Sequence, residues 1–274
     1  MVDKSEIVCI TVLYNPDSDV VSNIEKYHGL VGRIILVDNS SEDNRKMFSG
    51  MEDIEYIPLM ENTGIAHAIN VGIKKSQESY ILTMDQDSKI TANLVTAYLD
   101  YLNAKDDDTV GALTPQYKTD RTNTKKISGE TTDIVLSMQS GTLIKRSTFE
   151  KIGLFQEDLF IDVVDWEFFL RMNRSGLRLV RINAAILVHQ PATTKSIGIG
   201  PINIKYGSAS PIRYYYQARN LLWVANKYSD SRLYINLIVK WLKILLLFDH
   251  KRTYLKLFYQ GINDAKNNSL GKKI

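Results

Sequence analysis

The chain is poor in the features that mark several protein classes. Its one cysteine, Cys9, sits inside an apolar strand-like run, so disulfides are excluded and a reducing compartment fits. The N-terminus carries Asp3 and Glu6 and no apolar signal region, so secretion is not expected. No uninterrupted apolar stretch is long enough to span a bilayer. A net charge of +3 over 274 residues gives no case for nucleic acid. Neither G-x-G-x-x-G nor a P-loop is present, which disfavours dinucleotide and P-loop sites. There is no internal repeat and no low-complexity tract. What remains is an ordinary folded composition, 44% hydrophobic and 24% charged. The length suits one large domain, or a domain with an appendage.

The first hundred or so residues alternate strand and helix signals. Ile7–Leu13 is a continuous apolar run, as expected of a central parallel strand. Arg33–Val37, Ile54–Leu59 and Tyr80–Met84 read as further strands. Helices are expected up to about Tyr27, from Asn62-Thr63-Gly64 to about Ser76, and over Ala92–Leu102. This order predicts an α/β fold with a mostly parallel, Rossmann-like sheet flanked by helices. Ligands bind outside the carboxyl ends of such strands, and Tyr14, Asp38, Gly64 and Asp87 lie on or near those ends. Asp106-Asp107-Asp108 reads as a solvated loop, and Lys118–Lys126 as a flexible excursion. Ile134–Ser140 and Thr142–Lys145 read as strands, and Phe149–Gly153 as a short helix with a glycine stop. Asp165–Ser175 is a helix, and Arg178–Ile182 and Ile186–His189 are late strands. From Pro211 the chain becomes helical, aromatic and basic.

Asp85-Gln86-Asp87 follows the apolar run Tyr80–Met84. Two carboxylates two residues apart at a strand end point to one side, where they can share a divalent cation suited to a diphosphate. Asp38 ends another strand and can accept the ring N–H of a base; equally, Asp38-Asn39-Ser40 is good turn chemistry. Small residues after Gly64 allow backbone close to a ligand, or close helix–sheet packing. His67 reads as a solvent-facing or capping residue. Asp162, Asp165 and Glu167 open one helix, where the dipole favours acids and where one carboxylate can be a general base. Glu167 and Arg171 also have the spacing of an ordinary ion pair. His189 ends a strand and is either a structural residue or a metal ligand.

Together these segments resemble the family 2 glycosyltransferases of the GT-A fold, over roughly residues 5 to 225. The resemblance is carried by Thr11-Val12-Leu13-Tyr14-Asn15, Val37-Asp38-Asn39-Ser40, Asn62-Thr63-Gly64 through Asn70-Val71-Gly72, and Asp85-Gln86-Asp87. Ser140-Gly141-Thr142-Leu143-Ile144, Gly153-Leu154-Phe155, Phe160 through Glu167, and His189 follow in order. The D-Q-D triplet and Tyr214 through Asn220 are similar to the bacterial rhamnosyltransferase branch.

The resemblance implies a role for each matching position. Thr11, Tyr14 and Asp38 would hold the base, while Gly64 and Asn70 would shape the nucleotide pocket. Asp85, with Gln86 beside it, would meet the nucleotide, while Asp87 and His189 would bind Mg2+ or Mn2+. Asp165 matches the base of inverting enzymes; Val164 stands where relatives often have Glu, so Asp162 and Glu167 stay open as alternatives. Trp166, Glu167, Arg213 and Arg219 are candidates for meeting acceptor or phosphate. The implied donor is dTDP-rhamnose, and the acceptor a saccharide or lipid-linked saccharide in cell-surface polysaccharide synthesis. A different UDP- or dTDP-sugar is the alternative, ahead of a nucleotidyltransferase or a non-enzymatic saccharide-binding protein.

The expected organisation is a GT-A domain over 1–210, with a nucleotide-sugar half (1–105) and an acceptor and catalytic half (106–210). A helical segment follows over 211–274. In it Leu233–Phe248 is mostly apolar, with Arg232, Asn236, Lys240 and Lys243 on one stripe. That pattern suits either an anionic membrane surface or packing on the domain or in a homodimer. The expected location is cytoplasmic, peripheral on the inner face of the membrane.

Overall fold

In the computed structural model, residues 1–105, 107–120, 127, 129–189, 194–199 and 202–273 are described. The strands are β1 (Ile7–Leu13), β2 (Arg33–Asp38), β3 (Ile54–Pro58), β4 (Tyr80–Asp85), β5 (Ser88–Lys89) and β6 (Val110–Lys118). Then come β7 (Thr131–Ile134), β8 (Thr142–Lys145), β9 (Arg178–His189), β10 (Thr194–Ile199) and β11 (Ile202–Gly207). The helices are α1 (Ser18–Ile24), α2 (Ile65–Lys75), α3 (Ala92–Ala104) and α4 (Arg146–Ile152). They continue with α5 (Val164–Arg174), α6 (Pro211–Tyr228), α7 (Ser231–Leu247) and α8 (Lys251–Lys266).

One mixed sheet runs in the order β3-β2-β1-β4-β8-β6-β9-β5, with β7 paired to β9. Its β3-β2-β1-β4 half is parallel. β8 enters antiparallel between β4 and β6, and β6 pairs parallel with β9. The apolar character of β1 on both faces explains its central place, since every residue of it is buried. Val8, Ile10 and Val12 face a core shared with α2, α5 and α6. Ile7, Cys9 and Leu13 face the opposite core, shared with α1 and α3. Gly72 of α2 has a packing reason, because a Cβ there would lie 2.5 Å from Ile10 Cγ2. β10 and β11 form a separate hairpin.

Several expectations need correction. Residues 135–140 form a loop rather than a strand; only Ile134 of that stretch belongs to one, at the end of β7. Val135 and Leu136 of this loop pack, partly buried, against the core, which gives the stretch the look of a strand. The two late strands are one, β9, which runs through Asn183 and Ala184 at an irregularity where the register against β6 shifts. β6 and the β10–β11 hairpin were not anticipated; β6 contains Gly111 and Pro115, which weaken its strand signal. Asp107 is not merely solvated: it accepts from Thr109 and pairs with Arg178 at 2.9 Å. Lys118 closes β6, while residues 121–126 of the expected excursion lie outside the described residues.

The C-terminal helices pack as a layer. Leu221, Val224, Ala225 and Tyr228 of α6 join the core behind β1. On α7, two members of the expected basic stripe turn towards the body, since Lys240 Nζ lies over the Tyr214 ring and Lys243 donates to the Gly207 carbonyl, while Arg232 stays exposed and pairs with Asp230. The apolar row Ile235, Ile238, Val239, Leu242 and Leu246 is instead exposed, at 42–71% of full accessibility. Among the described residues, no helix is long and apolar enough to cross a membrane.

Candidate active site

The parallel half of the sheet brings three strand ends together. In register, Leu13 of β1 lies beside Asp38 of β2, and Val12 beside Asp85 of β4. After Asp85 the chain turns through Gln86 and Asp87 into β5, which pairs antiparallel with the end of β9. Ser88 is thereby set opposite His189. Pairing of two sheet edges, and not sequence proximity, therefore joins the acidic triplet to the histidine.

Asp85, Asp87 and His189 each offer a ligand atom, and these atoms lie within 4.8 Å of one another. Asp87 Oδ1 is 3.6 Å from His189 Nδ1. A hydroxyl chain fixes the group. The Asp85 N–H donates to Ser140 Oγ at 2.9 Å, Ser140 Oγ donates to Ser88 Oγ at 2.7 Å, and Ser88 Oγ is 2.7 Å from His189 Nδ1. Asn23 Nδ2 donates to the carbonyls of Ser88 and Gln86, which holds the turn from beneath. Burial pushes Asp85 up to about 7, with the charges of Asp87 and Asp165 adding to it. Burial also raises Asp87, against the opposing pull of His189. Two carboxylates this close, with an imidazole beside them, are a ready seat for a cation.

Gln86 makes a reciprocal pair with Tyr14: its Oε1 accepts the Tyr14 N–H at 2.8 Å, and its Nε2 donates to the Tyr14 carbonyl at 3.1 Å. This ties the end of β1 to the acidic turn. The Tyr14 ring stays half exposed above the strand ends.

Asp165 stands in the first turn of α5. Its Oδ1 accepts the Trp166 N–H at 2.9 Å, and among the described residues it has no cationic partner. Burial raises it to about 7; the Trp166 N–H opposes this and Asp162 reinforces it. The other two acids of this segment are engaged. Asp162 takes a bidentate pair from Arg213 at 2.7 and 2.9 Å. Glu167 is wholly buried between Arg171, Lys227 and the Tyr228 hydroxyl. Burial opposes its ionisation, but Arg171, then Tyr228 and Lys227, hold it below the usual carboxylate range.

The loop before α5 is strained. Phe160, Asp162 and Val163 have φ of 64°, 63° and 66°, a region that side-chain-bearing residues rarely occupy. One face of α6 holds it there. Asn220 Nδ2 is 2.8 Å from each of the carbonyls of Leu159, Ile161 and Asp162. Arg219 donates to the Leu159 carbonyl at 3.0 Å, and Phe160 stacks on Tyr216. Gly64 is required by the same loop: its φ is 92°, and a Cβ would lie 2.6 Å from the Phe160 carbonyl oxygen.

Some expected site residues are not brought to the cleft as ligand contacts. Thr11 is fully enclosed, with its hydroxyl 3.8 Å from Cys9 Sγ. Asn70 is buried and binds the Phe155 backbone in both directions, so it joins α2 to the segment before α5. Arg219 is 1% exposed and spends its guanidinium on backbone carbonyls and the Tyr215 and Tyr216 rings. Asp38 is enclosed; it accepts from the Ser40 N–H and Oγ, Asn44 Nδ2 and the Tyr56 hydroxyl. Burial works against its charge, yet those bonds keep it below its ordinary value. His67 pairs with Glu157 at 2.8 Å.

Residues not singled out at first include Asn23, Ser88, Gln139 and Asn220. Gln139 Nε2 donates to Asp85, and the buried Gln139 Oε1 has no hydrogen-bond partner among the described residues. Ser140 and Asn220 sit in motifs that the sequence displays, but their roles depend on which strand edge or loop they meet.

The fold is shared with solved GT-A glycosyltransferases. GalNAc-T7 superposes with a TM-score of 0.61 at 11% identity, covering 96% of this chain and 56% of that one. The mannosyltransferase PcManGT from Pyrobaculum calidifontis gives 0.58 at 14%, covering 96% and 75%. The model of the glycosyl transferase family 2 matches residues 19–166, and the chain belongs to that family. It is 30% identical over 246 residues to the dTDP-rhamnosyl transferase RfbF of Shigella flexneri, covering 82% of this chain and 81% of the relative. It is 26% identical over 197 residues to poly-beta-1,6-N-acetyl-D-glucosamine synthase of Staphylococcus aureus (strain COL), with 62% of this chain covered. That match spans 47% of the synthase.

Proposed function

We propose that this glycosyltransferase is an inverting hexosyltransferase. It moves L-rhamnose from dTDP-L-rhamnose onto a saccharide acceptor, one carried on a lipid, in bacterial cell-surface polysaccharide synthesis. One observation carries the reading: Asp85, Asp87 and His189 converge within 4.8 Å beside a half-buried carboxylate, Asp165, that has no cationic partner among the described residues. The likeness to RfbF supports rhamnose as the sugar.

Two carboxylates and an imidazole suit Mg2+ or Mn2+, and the GalNAc-T7 and PcManGT structures are both described with Mn2+. Bound there, the cation would offset negative charge developing on the leaving nucleoside diphosphate. Asp87 and His189 are its ligands in this reading, and Asp85 meets the nucleotide. Gln86 holds Tyr14 in place over the base, and Asp38 shapes the base pocket through the turn it organises. Asp165 takes the proton from the acceptor hydroxyl as that oxygen attacks the anomeric carbon. A value near 7 is well matched to this task, because it lies close to the working pH. Single displacement inverts the anomeric centre and needs no covalent intermediate. Residues 1–105 then serve the donor, residues 106–210 the acceptor and the base, and α7 meets an anionic membrane surface through its exposed apolar row.

A panel of dTDP-, UDP- and GDP-sugars tests the assignment. Cation-dependent release of dTDP from dTDP-rhamnose, faster than release from the other donors, is expected. Release from a UDP- or GDP-sugar instead assigns another donor on the same scaffold. No release from any sugar nucleotide contradicts the enzymatic reading.

A further inference from the structure

A cleft of about 470 Å3 opens beside the first turn of α5. Trp166 forms one wall, Ile134, Leu136 and Met138 form another, and Tyr117 of β6 and Arg181 of β9 complete it. Trp166 directly follows Asp165 in the chain. Burial raises the Tyr117 hydroxyl to about 12 and the charge of Asp165 adds to this, so that carboxylate lies near the same wall.

Arg181 is the one cationic side chain among the described lining residues. Its Nε donates to Asn183 Oδ1 at 3.2 Å, and it has no ion pair among the described residues. Arg178, three residues earlier on the same strand, has two, to Asp107 and Asp133. Arg213, across the site, is held by Asp162. The hydroxyls of Tyr117 and Ser137 are engaged with each other, with Thr114 and with backbone carbonyls. The half-buried Arg181 guanidinium, set beside Ile134, Leu136 and Met138, carries no counter-charge among the described residues. It matches the oxygens of a phosphate in shape and sign. The flat face of Trp166 suits a sugar ring, and Ile134, Leu136 and Met138 suit an alkyl chain.

We propose that this cleft is the acceptor subsite, and that Arg181 selects acceptors in which a phosphate joins the saccharide to an alkyl chain. The inference rests on the glycosyltransfer reading given above and deepens it. It concerns binding alone and requires no donor, cation or turnover.

The test is a tryptophan-fluorescence titration of the full chain in chelator-containing buffer. The probes are octyl diphosphate, inorganic diphosphate and octyl glucoside, with Trp166→Phe to assign the signal. Octyl diphosphate should bind most tightly of the three. Arg181→Gln should weaken it by about tenfold or more, as expected for loss of a charged hydrogen-bond partner, and leave octyl glucoside unchanged. Arg181→Lys should retain part of the binding, because it keeps the charge, and unchanged octyl glucoside binding by Arg181→Gln shows that the glutamine variant is folded. Equal binding of octyl diphosphate by Arg181→Gln, or a loss shared by octyl glucoside, overturns the proposal. So does inorganic diphosphate binding as tightly as the alkyl form, since free phosphate is then the better ligand. Release of dTDP from dTDP-rhamnose is measured separately, so failure of the cleft and failure of the enzymatic reading give different results.

Discussion

The Asn220 amide sits 2.8 Å from the Asp162 carbonyl oxygen, three residues ahead of Asp165. It also serves the carbonyls of Leu159 and Ile161. Asn220 is thus the tie between α6 and a loop with three left-handed non-glycine residues. Asn220→Leu removes those donors, which takes the Asn220 hydrogen bond from the part-buried carbonyls of Ile161 and Asp162, while Leu159 keeps Arg219. We expect stability to fall by about 1–3 kcal/mol and turnover to fall at least tenfold, with donor affinity little changed. Thermal melts and a split of kcat against donor KM check this; wild-type kcat would show that the loop does not aim the base.

The cation seat depends on residues behind it as well as its ligands. Asp87→Ala and His189→Ala should abolish cation-dependent tightening of dTDP binding in calorimetry. Ser140→Ala breaks the hydroxyl chain from Asp85 to His189 and should weaken cation affinity by about 10- to 100-fold. Unchanged cation affinity in Ser140→Ala would contradict that supporting role.

Glu167 predicts a pure stability effect. Glu167→Ala leaves Arg171 and Lys227 without their buried counter-charge, so a loss of about 3–5 kcal/mol is expected. The pH dependence has a definite sign. The folded value of Glu167 lies below its unfolded one, so its contribution is present above the ordinary Glu range and fades as pH falls through the folded value. Urea unfolding from pH 7 down to pH 3 measures it, and Glu167→Ala should show a shallower acid loss.

Asp165 predicts the opposite sign. Its folded value, about 7, lies above the ordinary Asp value, so stability is fullest in acid and is lost as pH rises towards and through about 7. Asp165→Asn removes that loss. Without added cation it should be more stable than the parent at pH 8, by about 4 kcal/mol at most, and no more stable at pH 4. Parallel melts at the two pH values decide it.

The exposed row on α7 predicts surface binding. Leu242→Glu with Leu246→Glu should abolish co-sedimentation with anionic liposomes and leave transfer to a soluble acceptor unchanged. If the parent does not sediment but forms dimers that the double variant disrupts, the row is a subunit contact.

Much of this architecture is written locally in the chain. The run Ile7–Leu13 announces a central strand because both of its faces are apolar, and Asp85 and Asp87 lie at a strand end as their spacing suggests. The alignment of His189 with Ser88 is less legible, since it arises from a two-residue strand too short to carry a pattern. The role of Asn220 is equally hidden. An asparagine on a helix looks neutral until the loop it serves, about sixty residues earlier, is placed against it. Thr11, Asn70 and Arg219 show the reverse: they sit within recognisable motifs, but their side chains are used in holding the scaffold. Lys240 and Lys243 of α7 take one of the arrangements their stripe allows, packing on the domain. Their long apolar stems let them turn inward over aromatic rings, where a helical wheel alone would place them in water.

The central claim is that Asp165 is the base. Its direct measurement is transfer by Asp165→Asn at saturating dTDP-rhamnose, beside calorimetric binding of dTDP with Mn2+. The account predicts a turnover loss of about 10²–10⁴-fold with nucleotide affinity within a few-fold of the parent. Near-normal turnover in Asp165→Asn would contradict it.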